Sequence, residues 1–378
     1  HTILAEVTGV QTCALPISLQ PQAPLASPVT LTSLVSLVSL VHLVHLVVLV
    51  VLVALAPSFS HAQDMRFTQS NAVPTSFNPA YAGLGEGANL VTIYRNQWAA
   101  LPNAFRGYHV AHDWFDSELN SGFGVLFSQE EAGAGGLRTT RVAAQYTYEV
   151  RLGDGGWRFR PALQVGAGNR AVDLTQLTFG DQLVRDDAPT TVDPVANASK
   201  SYIDFATGGL LVGKYTWVGF SADHLNRPNE GLSTTYLDPM EIRMSTHGGF
   251  RMPVGDPYRY KRGTRPDLIM AFNYMVQGPF NQLDLGLYYD TKPMSFGVWY
   301  RGLPFGQAVD GAMDIDALAF IAGYGRDNWK VGYSYDMTLS PLGLGVSGGS
   351  HEIVLKYQWQ TDHRKRPAAP RFQPCPSF

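Results

Sequence analysis

Two polar motifs have the spacing of known binding sites. Gly166, Gly168 and Ala171 match the G-x-G-x-x-A pattern of a dinucleotide-binding turn, which must follow a strand and open a helix. Here the flanking residues predict a strand and then a loop, so small side chains in a barrel strand are the favoured interpretation. His109 and His112 would share one face of a helix, but on a strand this odd spacing sends them to opposite faces.

Other polar clusters are equally unspecific. Asp310, Asp314 and Asp316 lack the glycine and terminal glutamate of a calcium loop, which leaves a solvated acidic loop or a weak cation site. The sequence contains neither H-E-x-x-H nor S-x-x-K. The run His224–Glu230 is the densest polar stretch, and it predicts a turn or an ordered interaction surface. We therefore expect no enzymatic activity, no cofactor and no metal.

The composition favours a sheet with one apolar face. Charged residues make up 16% of the chain, against roughly 25% in soluble domains, and aromatic residues reach 12%. Low charge, 38 glycines and many aromatic residues suit a barrel with aromatic girdles, although a secreted soluble sandwich could share this profile. The net charge of −3 argues against nucleic-acid binding. Cys13 and Cys375 lie far apart, which predicts no disulfide framework.

The N-terminal residues predict export. Residues 7–17 (VTGVQTCALPI) read like a translated sequencing adapter, so residues 1–18 are expected to be an artefact. Residues 33–53 repeat the pattern xLV seven times, which is long enough to cross a bilayer. Ser60-His61-Ala62 then offers a signal-peptidase site, so residues 19–62 are predicted to be a cleaved signal peptide. A retained anchor and a repeat-derived translation without a role remain alternatives, since no Lys or Arg precedes Arg66.

Two-residue alternation dominates the rest of the chain. In residues 157–167 an apolar face (Trp157, Phe159, Leu163, Val165) opposes a polar one that contains Arg158, Arg160 and Gln164. Residues 141–148, 283–290 and 352–359 show the same alternation of apolar and polar side chains. If these segments were helices, their charges would be scattered over every face. We predict strands near residues 88–98, 105–115, 120–130, 137–150, 156–169, 201–213, 215–224, 242–252, 267–276, 281–290, 294–301, 314–324, 329–338 and 350–359.

These strands predict an all-β fold, an outer-membrane transmembrane β-barrel of about 14 antiparallel strands spanning residues 88–359. Sheets exposed to lipid must close so that no edge stays unpaired. Short turns such as Gly153–Gly156 alternate with long connectors at residues 174–200 and 226–241, as in barrels whose long loops face outward. We expect residues 63–87 to be a periplasmic connector and the proline-rich residues 360–378 to be a periplasmic tail.

Several short sequence motifs carry a family resemblance. They are FNPAYAG (Phe77–Gly83), YRNQW (Tyr94–Trp98), HLNRP (His224–Pro228), PDLIMAFNYM (Pro266–Met275), LDLGLYYD followed by FGVWYRG (Leu283–Gly302), GYSYDMTLSPLG (Gly332–Gly343) and SGGSHEI (Ser347–Ile353). In this order they resemble PorP/SprF membrane proteins of the type IX secretion system, over essentially residues 63–377.

The resemblance implies a function without chemistry of its own. It implies an integral outer-membrane protein that helps large surface proteins, such as gliding adhesins, to be exported and anchored. The implied partners are outer-membrane lipid, type IX secretion components and the C-terminal domains of secreted surface proteins. The family-signature residues, which are candidates for partner binding, are Asn78, Pro79, Tyr81, Tyr94, Arg95, Asn96, Gln97, Trp98, His224, Asn226, Arg227, Pro228, Ser350, His351 and Glu352.

The sequence leaves two other functions open. A passive porin or transporter would have the same strands, and a barrel enzyme or a soluble sandwich is a third alternative. Trp98 is expected to face lipid, so that a charge at this position should weaken assembly.

Overall fold

The computed structural model describes residues 64, 66–85, 87–102, 104–133, 135–174, 177–178, 180–185, 199–232, 237–256, 258, 265–307, 313–340 and 342–360. All of them belong to one compact unit that begins at Ala62. The predicted artefact (1–18), the predicted signal peptide (19–62) and residues 361–378 of the predicted tail lie outside the described residues.

The described residues fold almost entirely as strands. These are β1 (Ala88–Gln97), β2 (Phe105–Asp116), β3 (Ser121–Ala132), β4 (Leu137–Tyr148), β5 (Val150–Leu152), β6 (Trp157–Ala171), β7 (Ser199–Val212), β8 (Thr216–Asp223), β9 (Arg243–Pro253), β10 (Asp267–Gln277), β11 (Phe280–Thr291), β12 (Met294–Gln307), β13 (Met313–Arg326), β14 (Trp329–Thr338) and β15 (Ser350–Trp359). Two short helices, Gly180–Val184 and Leu344–Ser347, lie in connectors.

The sheet closes on itself. Each strand pairs antiparallel with its neighbours, and β1 pairs with β15 from Ala88↔Trp359 to Gln97↔Ser350. β4 and the three-residue β5 both pair with β6 and are separated only by Glu149, so together they count as one strand of the barrel. The result is a closed barrel of 14 strands, which confirms the predicted fold and strand number.

Side chains alternate between the two faces, as predicted. On β6, Leu163 points outward and is 63% exposed, whereas Arg160 points inward and is fully buried. The outward face carries large apolar and aromatic residues on most strands, among them Phe159, Phe272 and Tyr333. An apolar outer face is what a barrel in hydrocarbon requires.

The two ends of the barrel differ in their connectors. The loop mouth is the end where β1 ends and β15 begins, and it carries the longest connectors, residues 172–198 and 224–242. The terminal mouth is the end where β1 begins and β15 ends, and most of its turns are short, such as residues 213–215 and 327–328. The connector 254–266 is a longer exception at this end. In outer-membrane barrels the long loops face the outside, so the loop mouth is the outward one.

The barrel is not empty. Asp64 and residues 66–84, which we name the lumen segment, lie inside it, with two 3-10 turns at Pro74–Ser76 and Pro79–Tyr81. Gln69, Asn78, Ala80 and Ala82 of this segment are less than 1% exposed. The sequence had predicted a periplasmic connector over residues 63–87. The described part of this stretch is packed in the lumen instead, because its polar and backbone groups bond to inward-facing side chains of the strands.

Candidate functional site: the occupied lumen

The lumen segment begins at a buried ion cluster near the loop mouth. Asp64 bonds to Arg141 (2.8 Å), Arg243 (3.1 Å) and His224 (2.7 Å), which come from β4, β9 and the residue after β8. Its backbone N–H lies 3.5 Å from Oε1 of Gln277, the last residue of β10. We name Asp64 with these four partners the Asp64 clamp.

Asp64 and His224, the two members of the clamp that lie outside the strands, are held in their charged forms. Burial raises the pKa of Asp64, but the positive charges of Arg141, His224 and Arg243 outweigh burial and leave this pKa well below its ordinary value. Burial lowers the pKa of His224, but Asp64 and Asp204 more than compensate and raise it to about 9. The clamp is therefore a set of opposite charges that stabilise one another.

A second charged cluster joins the lumen segment to the strands where β1 and β15 close the barrel. Glu352 on β15 accepts hydrogen bonds from the backbone N–H groups of Thr68 (2.9 Å) and Gln69 (2.8 Å), and it pairs with Arg95 of β1 at 3.2 Å. Arg95 also pairs with Asp336 of β14 at 3.0 Å, and Asp336 accepts from the Thr68 hydroxyl. Three neighbouring strands, β14, β15 and β1, thus bind one short stretch of the lumen segment where the barrel closes.

The middle of the lumen segment is organised by Asn78. Its Oδ1 accepts from the N–H of Ala80 and caps the second 3-10 turn, while its Nδ2 donates to the carbonyls of Gly209 (3.3 Å) and Phe220 (3.0 Å). One amide side chain therefore shapes the local turn and anchors it to β7 and β8. The rings of Phe77, Tyr81 and His247 pack together beside it, with centroids 4.8 to 5.5 Å apart.

The lower end of the lumen segment, which lies towards the terminal mouth, is held mainly through its backbone groups. Arg160 donates to the carbonyls of Ala80 (3.0 Å) and Ala82 (2.5 Å), and its third partner is the Glu149 carboxylate. The N–H of Gly83 donates to Asp113 at 2.9 Å, near the end of β2. Gly83 has φ +66°, a left-handed conformation that glycine adopts without strain.

A cavity of about 120 Å³ remains beside the upper half of the lumen segment. Its charged lining side chains are of both signs and include Arg66, Arg141, Arg243, Glu130, Asp204, Asp223 and Asp284. It has room for several water molecules. Most of these charges pair with each other, as Arg66 does with Asp284, Arg141 with Glu130 and Arg243 with Asp223.

The structure brings many of the family-signature residues together in the lumen. Asn78, Pro79 and Tyr81 lie in the lumen segment, and Arg95, His224, Ser350 and Glu352 are buried around it. Sequence reasoning identified these residues by resemblance alone. It did not find Asp64, Arg141, Arg160, Arg243 or Asp336, although an inward-facing charge on an alternating strand was a signal for the strand residues.

The remaining signature residues lie elsewhere. The ring of Tyr94 packs against Tyr108 at a tilt, with centroids 5.1 Å apart, and the ring of His351 lies beside Tyr333 and Tyr335. These side chains come from alternating positions on the outer face. Asn96 is on the same face as Tyr94, and Gln97 ends β1. Asn226 and Arg227 are exposed at the loop mouth, with Pro228 buried beside them.

Trp98 lies beyond the strand in which it was expected. It follows β1 in the turn to β2, with φ +58°, and its ring meets Phe105 edge-on. Its place at the end of the barrel means that a charge there should cost much less than one at mid-membrane depth.

The G-x-S-x-G pattern of hydrolases was not expected in this sequence, but residues 345–349 (GVSGG) match it in form. In that pattern the serine must be exposed at a sharp strand-to-helix turn. Ser347 instead ends a short helix, is fully buried, and accepts a hydrogen bond from Gly349. This placement does not fit a nucleophile.

Among the described residues, no group of three or more His, Cys, Asp or Glu side chains could hold a metal ion. No helix among them is long and apolar enough to cross a membrane. His109 is buried and His112 lies on the opposite face, as the odd spacing on a strand predicted.

The chain resembles known proteins as follows. The profile of the family described as type IX secretion system membrane protein PorP/SprF matches residues 59–357. No curated protein matches the chain. The solved structure of Omp33 from Acinetobacter baumannii is 8% identical, with a TM-score of 0.38 over 73% of this chain and 100% of that one. The toluene transporter TodX from Pseudomonas putida is 10% identical, with a TM-score of 0.38 over 79% and 95%. Scores this low support no conclusion about activity.

Proposed function

Because this chain belongs to the PorP/SprF family of type IX secretion system membrane proteins, we propose that it is a non-enzymatic outer-membrane barrel that assists the export and surface anchoring of large proteins such as gliding adhesins. Its partners in this proposal are other components of the secretion system and the C-terminal domains of the exported proteins. A cleaved signal peptide within residues 19–62 would bring it to the outer membrane.

One observation carries the proposal beyond the family: the lumen is occupied. The lumen segment bonds to strands on all sides of the barrel, from Arg95 on β1 through Arg160 on β6 and Asp284 on β11 to Glu352 on β15. A barrel filled in this way gives little room for solute passage. It suits a protein that acts through its surfaces and mouths.

The test is deletion of the gene, followed by an inventory of secreted and surface proteins by mass spectrometry. We expect a small set of large surface proteins to disappear from the cell surface and to return when the wild-type gene is restored. An unchanged inventory would contradict the proposal. Immunoblotting of the barrel in the complemented strain controls for expression level.

The second candidate is a passive porin, which the barrel architecture alone would allow. A recording in a planar lipid bilayer separates the two, since an open porin conducts steadily and an occluded barrel does not. We expect the wild-type protein to be closed. Steady conductance at the level of an open pore would favour the porin.

A further inference from the structure

We infer that the lumen segment is threaded from outside to inside, so that the mature N-terminus lies at the outward loop mouth rather than in the periplasm. The inference concerns the direction in which the chain passes through its own barrel. It rests on the outer-membrane barrel and not on the proposed role in export.

The upper end of the path is fixed by the Asp64 clamp. Gln277 is the last residue of β10, Arg243 is the first of β9, and His224 directly follows β8. All three positions belong to the loop mouth. Arg66 continues this arrangement, because it pairs with Asp284 at 2.6 Å near the start of β11, which also begins at the loop mouth.

The lower end is fixed at the terminal mouth. Gly83 donates to Asp113 near the end of β2. A Cβ built on Gly87 would lie 2.0 Å from the carbonyl oxygen of Trp359, the last residue of β15. Between these ends the contacts descend in order, from Thr68 with Glu352, through Asn78 with Phe220, to Ala82 with Arg160.

This direction bears on the alternative of a retained membrane anchor. Residues 54–63 join the apolar run to Asp64, and ten extended residues reach at most about 35 Å. The apolar band of an outer-membrane barrel alone is about 25 Å tall, and the periplasm lies beyond it. If the segment is threaded in this direction, an anchor in the inner membrane could not reach Asp64 at the loop mouth, so the inference requires the chain to be cut upstream of Asp64.

The clamp explains why the new N-terminal end would stay in place. Asp64 is 8% exposed, and its two carboxylate oxygens face two guanidinium groups and an imidazole. Removing one partner from such a buried set is costly because the remaining charges lose their compensation. The first described residue of the segment is therefore also one of its most tightly bound.

An epitope inserted immediately before Asp64 tests the inference in the full-length protein in cells. Two matched insertions mark the mouths: one between Leu237 and Asp238, at the loop mouth, and one between Asp154 and Gly155, in a turn at the terminal mouth. Antibody binding is measured on intact cells and after permeabilisation of the outer membrane. Heat-modifiable migration confirms that each protein has folded.

We expect the epitope before Asp64 to be detected on intact cells as strongly as the insertion at Leu237. Detection only after permeabilisation, as expected for the insertion at Asp154, would overturn the inference. Loss of surface proteins in the gene deletion is a separate readout, so failure of the threading inference and failure of the proposed function are distinguishable.

A second measurement does not depend on an insertion. In a chain with Cys13→Ser and Cys375→Ser, the pair Asp64→Cys and Gln277→Cys should be joined by a short thiol-specific cross-linker, because the backbone N–H and the carboxylate of Asp64 lie 3.5 and 3.3 Å from the side-chain amide of Gln277. The matched pair Asp64→Cys and Asp113→Cys lies at opposite mouths and should not be joined. Heat-modifiable migration confirms that both variants have folded, and a cross-link to position 113, or none to position 277, would overturn the inference.

Discussion

The upper and lower halves of the lumen segment are held by different physics. From Asp64 to Gln69, carboxylates and guanidinium groups dominate, with the Asp64 clamp and the pairs of Arg95 around Glu352. From Asn78 to Gly83, the contacts are an amide cap, packed rings and donors aimed at backbone carbonyls. Both halves are buried, but only the upper one lies beside the charged cavity.

The difference indicates what each half can respond to. Ion pairs depend on the protonation of their members, so the upper half should be sensitive to pH. Close backbone contacts depend on shape, so the lower half should be sensitive to added volume and to loss of a donor. We therefore expect the lower half to fix the segment in the barrel and the upper half to tune how tightly its outer end is held.

The largest effect is expected for Arg160→Ala in the lower half. This change leaves the Glu149 carboxylate without its closest partner and strips the carbonyls of Ala80 and Ala82 of a donor. Breaking a buried pair in this way costs about 3–5 kcal/mol. The temperature at which the barrel loses its heat-modifiable migration should fall, and bilayer recordings should show openings that the wild-type protein lacks.

Arg158→Ala is the matched control, on the same strand and facing the same carboxylate. Arg158 lies 3.6 Å from Glu149 and does not reach the carbonyls of the lumen segment in the contacts described. Its loss should be clearly smaller. Equal losses for the two variants would mean that Arg160 acts on the barrel wall and not on the segment.

Gly122→Ala should have the next largest effect. A Cβ on Gly122 would lie 1.9 Å from the carbonyl oxygen of Ala82, so either the strand or the segment must move. Overpacking of this kind costs about 1–3 kcal/mol. Gly124→Ala on the same face of β3 is the control, because its Cβ would first meet the movable amide of Gln145 at 2.8 Å. The same thermal assay should separate the two variants.

The sequence predicted the barrel because alternation is a local property. Leu163 outside and Arg160 inside follow from the pleat alone, and antiparallel neighbours in lipid must close. The number of strands followed from counting such segments. None of this required knowing which strands meet across the lumen.

The lumen segment could not be predicted in the same way. FNPAYAG carries turn residues, and Pro79 and Gly83 favour a connector wherever it lies. Its burial depends on partners such as Glu352, which is 284 positions from Thr68, and no periodicity links residues so far apart. The resemblance pointed to Asn78, His224 and Glu352 as signature residues, but it did not show that they face each other.

A smaller effect is expected from titration of the upper half. The pKa of His224 is raised to about 9 from 6.5, so its stabilising contribution is complete below pH 6.5 and is lost as the pH rises through 9. The lowered pKa of Asp64 gives a contribution that is present above 3.8 and is lost in acid. The loss on the alkaline side should be on the order of 1–3 kcal/mol.

The measurement is the thermal midpoint of the migration shift, taken from about pH 6 to about pH 10. The wild-type midpoint should decline between pH 6.5 and 9, and the decline should be largely absent in His224→Asn. His351→Asn, on the outer face, is the control and should keep the wild-type profile. An unchanged slope in His224→Asn would remove the assigned pH sensitivity from the upper half.

The smallest effect on thermal stability is expected for Arg227→Ala, at the exposed edge of the loop mouth above the Asp64 clamp. Arg227 pairs with Glu241 at 2.7 Å, but its side chain is 48% exposed at the loop mouth, where water screens the pair. Exposed pairs contribute about 0–1 kcal/mol, so Arg227→Ala should leave the thermal midpoint almost unchanged. Arg227 is three residues from His224, so a large loss for Arg227→Ala would mean that the clamp extends to the exposed rim and is not confined to buried charges. A negligible loss, beside a clear one for Asp64→Asn, would confine the upper anchor to the buried cluster.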